Sequence, residues 1–307
     1  MVDPMLSSDL RRTPPRAPHA PPPSSWALNM ERAFLVGSLV DAGERHLRRR
    51  QGGQDHALAL RLPSAVVLAV ADGAGVVDGA VSRTEVGAGL VVELAARAAA
   101  DAAARGMGPG DARHHVAGIL VRHLLPLWVM LGEGAAGLLH CTLMLAVSTP
   151  SWTSIWSVGD GAWGATGSLA HGFASPATIA TVACYGAQWH AHGRERRARL
   201  RTSVALLCRR GDPDEVAAGL QPVLEAEGPT LRLYVASDGL EDEPRLDAWL
   251  RVATWQGDEL AASLDRPAGS DDLALAWAHE RWPGSAGLAA DAQPLPTGNL
   301  QPPEARR

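Results

Sequence analysis

Apolar residues gather in short continuous runs that predict buried β-strands. Runs of this length, bounded by turn residues, are typical of strands whose two faces are both covered. Ala65–Ala71 (AVVLAVA) is the clearest of them, and it ends at the turn pair Asp72-Gly73. By the same criteria we expect strands at residues 34–40, 142–147, 154–158, 162–167, 204–208, 231–236 and 273–279.

Helical spacing predicts a second class of element. An amphipathic pattern follows residues 82–85 (Ser-Arg-Thr-Glu), which match a capping box. Its apolar positions are Val86, Leu90, Val91, Leu94 and Ala98. A second helix is expected after Asp111 as its N-cap, with Val116, Ile119, Leu120, Leu124 and Leu127 on its apolar face. Further helices are expected at residues 212–227 and near 245–263, whereas residues 170–200 give no clear pattern.

The order of these elements indicates an α+β fold. Strands interleaved with a helical pair, without strict alternation of strand and helix, favour antiparallel sheets. Proline is frequent near both ends, including Pro21-Pro22-Pro23 and several positions from Pro283 onward. Such stretches bury too little apolar surface to offset the entropy lost on ordering. We therefore expect disordered tails at residues 1–31 and 282–307 around one folded domain at residues 32–281.

Composition narrows the possible chemistry. All 28 basic residues are Arg, so no Lys is present for a Walker A loop, a kinase nucleotide site or a pyridoxal Schiff base. A net charge of −5 gives no general attraction to nucleic acid or to an anionic membrane. The three Cys residues have no CxxC spacing, which disfavours a disulfide framework and a zinc site. Without a signal-peptide segment or a continuous apolar run of about 18 residues, we expect a cytoplasmic protein.

Aspartates fall at the ends of the predicted strands. Asp72 and Asp238 each follow a strand, Asp160 separates two, Asp271 precedes the last, and Asp55 lies ahead of the most apolar one. A single such Asp is usually a turn residue, but a set at one edge of a sandwich would bring carboxylates together. Converging carboxylates raise one another's pKa unless a cation neutralises them. Oxygen ligands suit Mg²⁺ or Mn²⁺ rather than Zn²⁺, and two such ions activate water against a phosphoryl group.

The order of these motifs resembles a known enzyme family. The relevant pieces are Gln51-Gly52-Gly53-Gln54-Asp55, Ala71-Asp72-Gly73, Cys141-Thr142-Leu143, Val158-Gly159-Asp160-Gly161, Ala236-Ser237-Asp238-Gly239 and Ser270-Asp271-Asp272. Together they resemble the metal-dependent protein phosphatase 2C family, particularly its compact bacterial branch, over about residues 40–281. The resemblance implies two packed antiparallel β-sheets flanked by helix pairs, an α-β-β-α sandwich, with a binuclear metal site at one end.

The resemblance also implies metal-binding roles. Asp72 would bridge two Mn²⁺ or Mg²⁺ ions, and the Gly73 carbonyl would bind one of them. Asp238 and Asp271 would complete the shell of the second ion, while Asp55 would lie in a shell or directly behind it. The implied activity is hydrolysis of phosphoserine or phosphothreonine by metal-activated water, without a phospho-enzyme. The implied partners are phosphorylated proteins, the substrates of a Ser/Thr kinase.

Three further positions complete the implied site. Asp160 matches an acidic position associated with a third, more loosely held ion in bacterial members. Arg50 matches an Arg that holds the substrate phosphate, and an Arg fork fits phosphate oxygens in bidentate fashion. His46 either supports this phosphate site or is an ordinary packing or surface residue, and the second interpretation is the more common one.

Two departures leave a second interpretation open. Gln54 stands where the family commonly has Glu, which removes a charge from one metal site, although Gln is also usual in part of the bacterial branch. Ala74 stands where many members have His or Met, and Ala has no proton to donate. The alternative is a weakly active or inactive phosphatase-like protein that binds a regulatory partner.

An arginine-rich segment at residues 194–201 lies where the family has a variable flap. It contains five Arg and one Glu. One hypothesis is that it recruits acidic or phosphorylated substrates, and the more common alternative is a solvated basic loop. His190 and His192 are too weakly placed to indicate a metal site.

Overall fold

Two antiparallel β-sheets of five strands each lie at the centre of the fold in this computed structural model. The structure describes residues 34–48, 52–74, 76–77, 80–81, 83–166, 179–180, 203–230, 232–242 and 271–280. Within these residues the expected α+β class, with two antiparallel sheets and helices, is confirmed.

Strands and helices are numbered here in chain order. The strands are β1 (Phe34–Asp41), β2 (His56–Leu62), β3 (Ala65–Ala71), β4 (Val76–Val77), β5 (Ala80–Val81), β6 (Leu143–Ser148), β7 (Trp152–Val158), β8 (Ala162–Thr166), β9 (Ile179–Ala180), β10 (Gln221–Glu227), β11 (Arg232–Ala236) and β12 (Leu273–Glu280). The α-helices are α1 (Glu44–Arg48), α2 (Glu85–Ala104), α3 (Pro109–Leu131), α4 (Ala136–Leu139), α5 (Val204–Cys208) and α6 (Pro213–Gly219). Short 3-10 helices span Gly132–Ala135 and Asp238–Asp242.

The strand register brings particular chain ends together. The first sheet has the order β1-β12-β11-β8-β9, the second has the order β10-β7-β6-β3-β2, and β4 pairs with β5. In the second sheet Ala71, which ends β3, lies opposite His56, which begins β2. In the first sheet Ala236, which ends β11, lies opposite Ala162, which begins β8. The loops that carry the candidate aspartates therefore leave each sheet at a shared end.

Strand β3 is buried on both faces because it lies between a helical layer and the other sheet. Side chains alternate along a strand, and in β3 the residues Ala65, Val67, Ala69 and Ala71 join the cluster that contains α2 and α3. Val66, Leu68 and Val70 join the cluster between the two sheets. The continuous apolar run in the sequence is thus explained by two cores that share one strand.

The helices of the described residues pack on the second sheet. Helix α2 lies against β2 and β3, and α3 lies against α2 and α6. Gly87 in α2 approaches the backbone of Leu138 and Leu139 so closely that no side chain would fit there. The helix expected near residues 245–263, the tails at 1–31 and 282–307 and the domain limits lie outside the described residues.

Helix α3 has one property that the sequence patterns did not predict. By length and composition it is the one helix in the described part of the chain that is long and apolar enough to cross a membrane. Core helices meet the same test, so the finding is weak evidence for a membrane segment. In this fold α3 packs against α2 and α6.

The expected strand at residues 204–208 is wrong, because Val204–Cys208 is a helix. Ser203 caps it, and its hydroxyl accepts a hydrogen bond from the Leu206 N–H at 3.2 Å. The residues Val204, Ala205 and Cys208 are buried, which is helical spacing. A five-residue apolar run does not distinguish a strand from a buried helical turn.

The expected helix at residues 212–227 is only half correct. Asp212 is the N-cap of α6, as expected, but the helix ends at Gly219. The chain then forms β10, which pairs with β7 at the edge of the second sheet. Pro222 is tolerated there because an edge strand leaves one side of its backbone unpaired.

The helix starts also differ from the expected caps. Thr84 is the N-cap of α2 and makes no side-chain cap bond, while Ser82, the expected capping residue, lies outside the described residues. Gly108 is the N-cap of α3, and Asp111 lies within its first turn. Strand β2 (His56–Leu62) was not predicted at all, although Ala and Leu alternate along Ala57–Leu60.

Replacing Leu145 by Ala tests the shared core of β3 and β6. Leu145 is fully buried among residues of α2, α3 and the second sheet. We expect a loss of about 2–5 kcal/mol in the free energy of unfolding, because the cavity adds to the lost transfer energy. Urea unfolding would measure it. Val129→Ala on the exposed side of α3 is the control, with an expected change within about 0.5 kcal/mol. Equal losses in both variants would contradict this core assignment.

Candidate metal centre

The five candidate aspartates lie at corresponding ends of the strands. Asp72 directly follows β3, and Asp55 directly precedes β2. Asp160 lies in the turn between β7 and β8. Asp238 follows β11 after one residue, and Asp271 comes shortly before β12. Antiparallel pairing places these ends side by side in each sheet, and the two sheets pack face to face through a common core.

The carboxyls are close enough to act on one another electrostatically. The pKa of Asp72 is raised well above its usual range, first by burial and then by the negative charges of Asp55, Asp238 and Asp160. Burial raises the pKa of Asp55 to about 6, and the charges of Asp272 and Asp271 add to the rise. The Ser237 hydroxyl and the Asp72 carboxyl oppose part of this shift. Burial also raises the pKa of Asp160. The structure therefore brings all five candidates into one acidic cluster.

Asp55 is the member of this cluster whose buried oxygens most need a counter-charge. Both of its carboxylate oxygens are buried, and neither makes a hydrogen bond of ordinary length and angle within the described residues, although the Ser237 hydroxyl and the Asp72 carboxyl lie near enough to lower its pKa. A buried carboxylate without a partner is strongly unfavourable. A divalent cation would satisfy those oxygens and offset the repulsion from the charges of Asp272 and Asp271. The residues present thus fit a metal ion by charge, burial and donor chemistry.

The acidic side chains do not form a complete coordination shell. Across the described ranges, no three His, Cys, Asp or Glu side chains are arranged so that they could hold one metal ion. The cluster is therefore a set of neighbouring oxygen donors rather than a finished coordination shell.

Thr142 holds the backbone of Asp72 from both sides. Its hydroxyl accepts the Asp72 N–H at 3.0 Å, and its own N–H donates to the Asp72 carbonyl at 2.9 Å. Gly159 has a φ of +85°, and a side chain there would meet the Thr142 methyl group. The Cys141-Thr142 and Gly159-Asp160 motifs thus include residues that fix Asp72, a role which spacing alone did not show.

The glycines after two of the aspartates permit close backbone contact. A Cβ atom on Gly73 would lie 2.6 Å from the Gln54 carbonyl oxygen and 2.7 Å from the Thr84 hydroxyl. A Cβ atom on Gly239 would collide with the carbonyl of Asp272. The loops that carry Asp72 and Asp238 are therefore packed directly on the segments that carry Asp55 and Asp271.

Asp272 differs from Asp271 in its surroundings. Asp272 is buried and accepts hydrogen bonds from the Gly43 N–H at 2.6 Å, from the Gln54 N–H at 2.6 Å and from His46 Nδ1 at 2.7 Å. Asp271 is only partly buried, and its Oδ1 accepts the Asp272 N–H at 3.0 Å. Sequence reasoning treated the second Asp only as part of a motif and missed these contacts. Its signal was the unusual pair of consecutive acids at the start of a strand.

Several predicted positions cannot be compared with the structure. Arg50, His190, His192 and the arginine-rich segment at residues 194–201 lie outside the described residues. His46 lies in α1 and contacts Asp272, which agrees with a packing role.

Ala74 follows the candidate metal-binding turn and is held by its backbone. Its N–H donates to the His140 carbonyl at 3.1 Å, and its carbonyl accepts the Thr84 hydroxyl at 3.0 Å. The methyl side chain offers no proton donor at this position.

Part of the chain matches the sequence model of a known protein family. Residues 42–179 match the sequence model of the protein phosphatase 2C family. Over this part of its length the chain is similar to the protein phosphatase 2C family. The protein phosphatase 2C match includes Asp55, Asp72 and Asp160 and ends before Asp238 and Asp271. The acidic cluster therefore combines residues inside and beyond the matched stretch.

Solved structures with similar folds were also found. The S. agalactiae serine/threonine phosphatase is 14% identical, with a TM-score of 0.49, over 81% of this chain and 100% of that chain. PppA, a regulatory component of T6SS in Pseudomonas aeruginosa, is 17% identical, with a TM-score of 0.49, over 81% and 98%. The PstP catalytic domain in complex with 2 manganese ions is 14% identical, with a TM-score of 0.48, over 81% and 98%. A sequence search of curated proteins gave no match. The similarity to the protein phosphatase 2C family therefore rests on the sequence match over residues 42–179.

The raised pKa of Asp55 predicts how the stability of the metal-free chain depends on pH. Between the ordinary pKa of 3.8 and about 6, the folded state binds more protons at Asp55 than the unfolded state does. The free energy of unfolding therefore falls as pH rises through this window. Asp55→Asn should reduce that fall by on the order of 2 kcal/mol.

Urea unfolding of both proteins at pH 4.5 and pH 7, with chelator present, would measure the difference. The comparison between the two proteins cancels the contribution of titrating groups that do not interact with Asp55, whereas the pKa of Asp72, which burial and then the charge of Asp55 raise, changes with the substitution. Identical pH dependence in the wild-type chain and in Asp55→Asn would contradict the raised pKa.

Proposed function

We propose that this chain is a metal-dependent phosphatase that hydrolyses phosphoserine and phosphothreonine in proteins. The observation that carries the proposal is the pair of buried, unpartnered Asp55 oxygens within the acidic cluster around Asp72. A fold does not need such a cluster for its own stability, because burial and repulsion both disfavour the charged carboxylates. A cation-dependent reaction supplies a reason for it, and the match of residues 42–179 to the protein phosphatase 2C family supports that reaction.

The proposed ligands hold two Mn²⁺ or Mg²⁺ ions. Asp72, whose pKa is raised by burial and by the charges of Asp55, Asp238 and Asp160, would bind both ions, and the Gly73 carbonyl would bind one of them. Asp238 and Asp271 belong to the second ion, and Asp55 lies in or directly behind a ligand shell. When bound, the ions supply a Lewis acid that activates water and offsets the charge of the phosphate.

The chain's own groups set up this chemistry. Thr142 fixes the backbone of Asp72 through two hydrogen bonds, which restricts where the Asp72 carboxylate can lie. Asp160 provides a further charge next to Asp72 and is proposed to bind a third, looser ion. Arg50 is proposed to hold the phosphate oxygens, since an Arg fork matches them. Ala74 has no proton to donate, so the leaving alkoxide would take its proton from water.

The proposed setting follows from the reaction. The substrates would be proteins that a Ser/Thr kinase has phosphorylated. The proposed location is cytoplasmic. The proposed catalytic unit is residues 32–281, with tails at residues 1–31 and 282–307.

A second candidate function is supported by Gln54 and Ala74. Gln54 is buried beside the acidic cluster and carries no charge, and Ala74 supplies no acid. The alternative is a phosphatase-like protein that binds the cations and a regulatory partner but turns over slowly or not at all. Measuring Mn²⁺ binding by calorimetry beside turnover separates the two: binding without turnover favours the alternative, and turnover removes it.

The catalytic proposal predicts hydrolysis of an aryl phosphate or a Ser/Thr phosphopeptide that depends on Mn²⁺ and stops with chelator. Asp72→Asn and Asp238→Asn keep the side-chain shape but remove a charged oxygen donor. Each should lower kcat/KM on the order of 10³-fold or more. Asp101→Asn, on the exposed side of α2, is the control and should leave turnover unchanged. Wild-type turnover in Asp72→Asn or Asp238→Asn would refute the proposed site.

A further inference from the structure

Three separate parts of the chain are joined at the carboxylate of Asp272. One oxygen accepts the Gly43 N–H at 2.6 Å and contacts His46 Nδ1 at 2.7 Å. The other oxygen accepts the Gln54 N–H at 2.6 Å. Gly43 lies directly before α1, and its carbonyl accepts the N–H groups of His46 and Leu47. One buried side chain therefore fixes the start of α1, the ring of His46 and the segment that leads into β2.

These contacts lie one residue away from three of the proposed ligands. Gln54 directly precedes Asp55, and Asp271 directly precedes Asp272. Gly239, which follows Asp238, is packed so closely on the Asp272 carbonyl that it has no room for a side chain. Asp272 thus connects the loop before β2 in one sheet with the loops before β12 and after β11 in the other. Among the described contacts it is a direct link between ligand-bearing loops of both sheets.

The surroundings of Asp272 suit holding a position rather than binding an ion. Asp272 is only 3% exposed, and both of its carboxylate oxygens already accept hydrogen bonds. A carboxylate whose two oxygens accept backbone N–H groups and contact a His ring nitrogen already has its hydrogen-bonding partners inside the protein. Asp55, by contrast, has no such donors within the described residues.

From this arrangement we propose that Asp272 and His46 are a positioning pair, which fixes Asp55 relative to Asp271 and thereby sets the affinity of the centre for a divalent cation. The inference rests on the proposed function, because it concerns the same centre. Groups that orient metal ligands typically contribute about 10–100-fold to metal affinity.

The chain contains a matched control pair. His115 Nε2 lies 2.8 Å from Asp101 Oδ2, nearly the same separation as in the His46–Asp272 pair. This second pair joins α3 to α2, and neither residue is among the groups that shift the pKa of Asp55 or Asp72. Breaking it removes an Asp–His contact without disturbing the loops of the acidic cluster.

The test is calorimetric titration of the metal-free, full-length chain with Mn²⁺. The proteins compared are wild type, Asp272→Asn, His46→Ala, the double variant and His115→Ala, each checked for folding by circular dichroism. Asp272→Asn should weaken Mn²⁺ binding by roughly 10–100-fold, since Asn presents only one acceptor oxygen. His46→Ala should weaken it less. The double variant should match Asp272→Asn alone, because the two residues act through one contact. His115→Ala should bind as wild type does.

Three results would overturn the inference while leaving the proposed function intact. One is wild-type Mn²⁺ affinity in folded Asp272→Asn and His46→Ala. Another is an equal loss in His115→Ala, which would indicate general destabilisation. The third is an additive effect in the double variant. If Asp272→Asn does not fold, wild-type affinity in His46→Ala alone decides against the pair. Absence of Mn²⁺ binding in the wild-type chain would instead overturn the proposed function.

Discussion

Repulsion between buried carboxylates is the constraint on which the arrangement of the other loops depends. Asp55 and Asp72 are both removed from water, and the charge of Asp55 raises the pKa of Asp72. Burial alone would favour the uncharged acids, and the neighbouring charges of Asp238, Asp160 and Asp271 push in the same direction. A chain that keeps such groups together must hold their backbones firmly, since the side chains themselves favour separation.

The fold supplies that hold through paired strands and shared cores. The residues of β3 alternate between the helical layer and the core between the sheets, so the strand that ends at Asp72 is anchored on both faces. Thr142 then fixes the Asp72 backbone at the strand end. Because the sheets are antiparallel, the ends of neighbouring strands meet, and the acidic loops are brought together by hydrogen-bond register rather than by mutual attraction. The energy that opposes the repulsion therefore comes largely from apolar burial away from the cluster.

This division explains what could be predicted from the sequence. The strand β3 and the aspartate that follows it are both local features, since the apolar run ends abruptly at Asp72-Gly73. Strong local patterns of this kind survive in the fold. At Val204–Cys208 the same criterion failed, because a five-residue run carries too little periodicity and the helix is set by the Ser203 cap. Strand β10 was missed since its pairing with β7 outweighs the helical tendency of its sequence. The contacts of Asp272 join residues more than 200 positions apart, as with Gly43 at a separation of 229, and no local pattern encodes them.

The same contacts change how the Gln54 departure is to be weighed. The side chain of Gln54 departs from the family pattern, because Glu at this position would add a charge to a metal site. In the structure its backbone N–H is also bound by Asp272, and its carbonyl lies against Gly73. Any amino acid other than proline keeps this N–H group, so replacing Glu by Gln leaves the anchor in front of Asp55 intact. The neutral side chain also adds no further negative charge to a cluster in which burial and neighbouring charges already raise the pKa of Asp55 and that of Asp72. The departure from the family pattern therefore alters the charge at the centre while preserving the backbone that positions it.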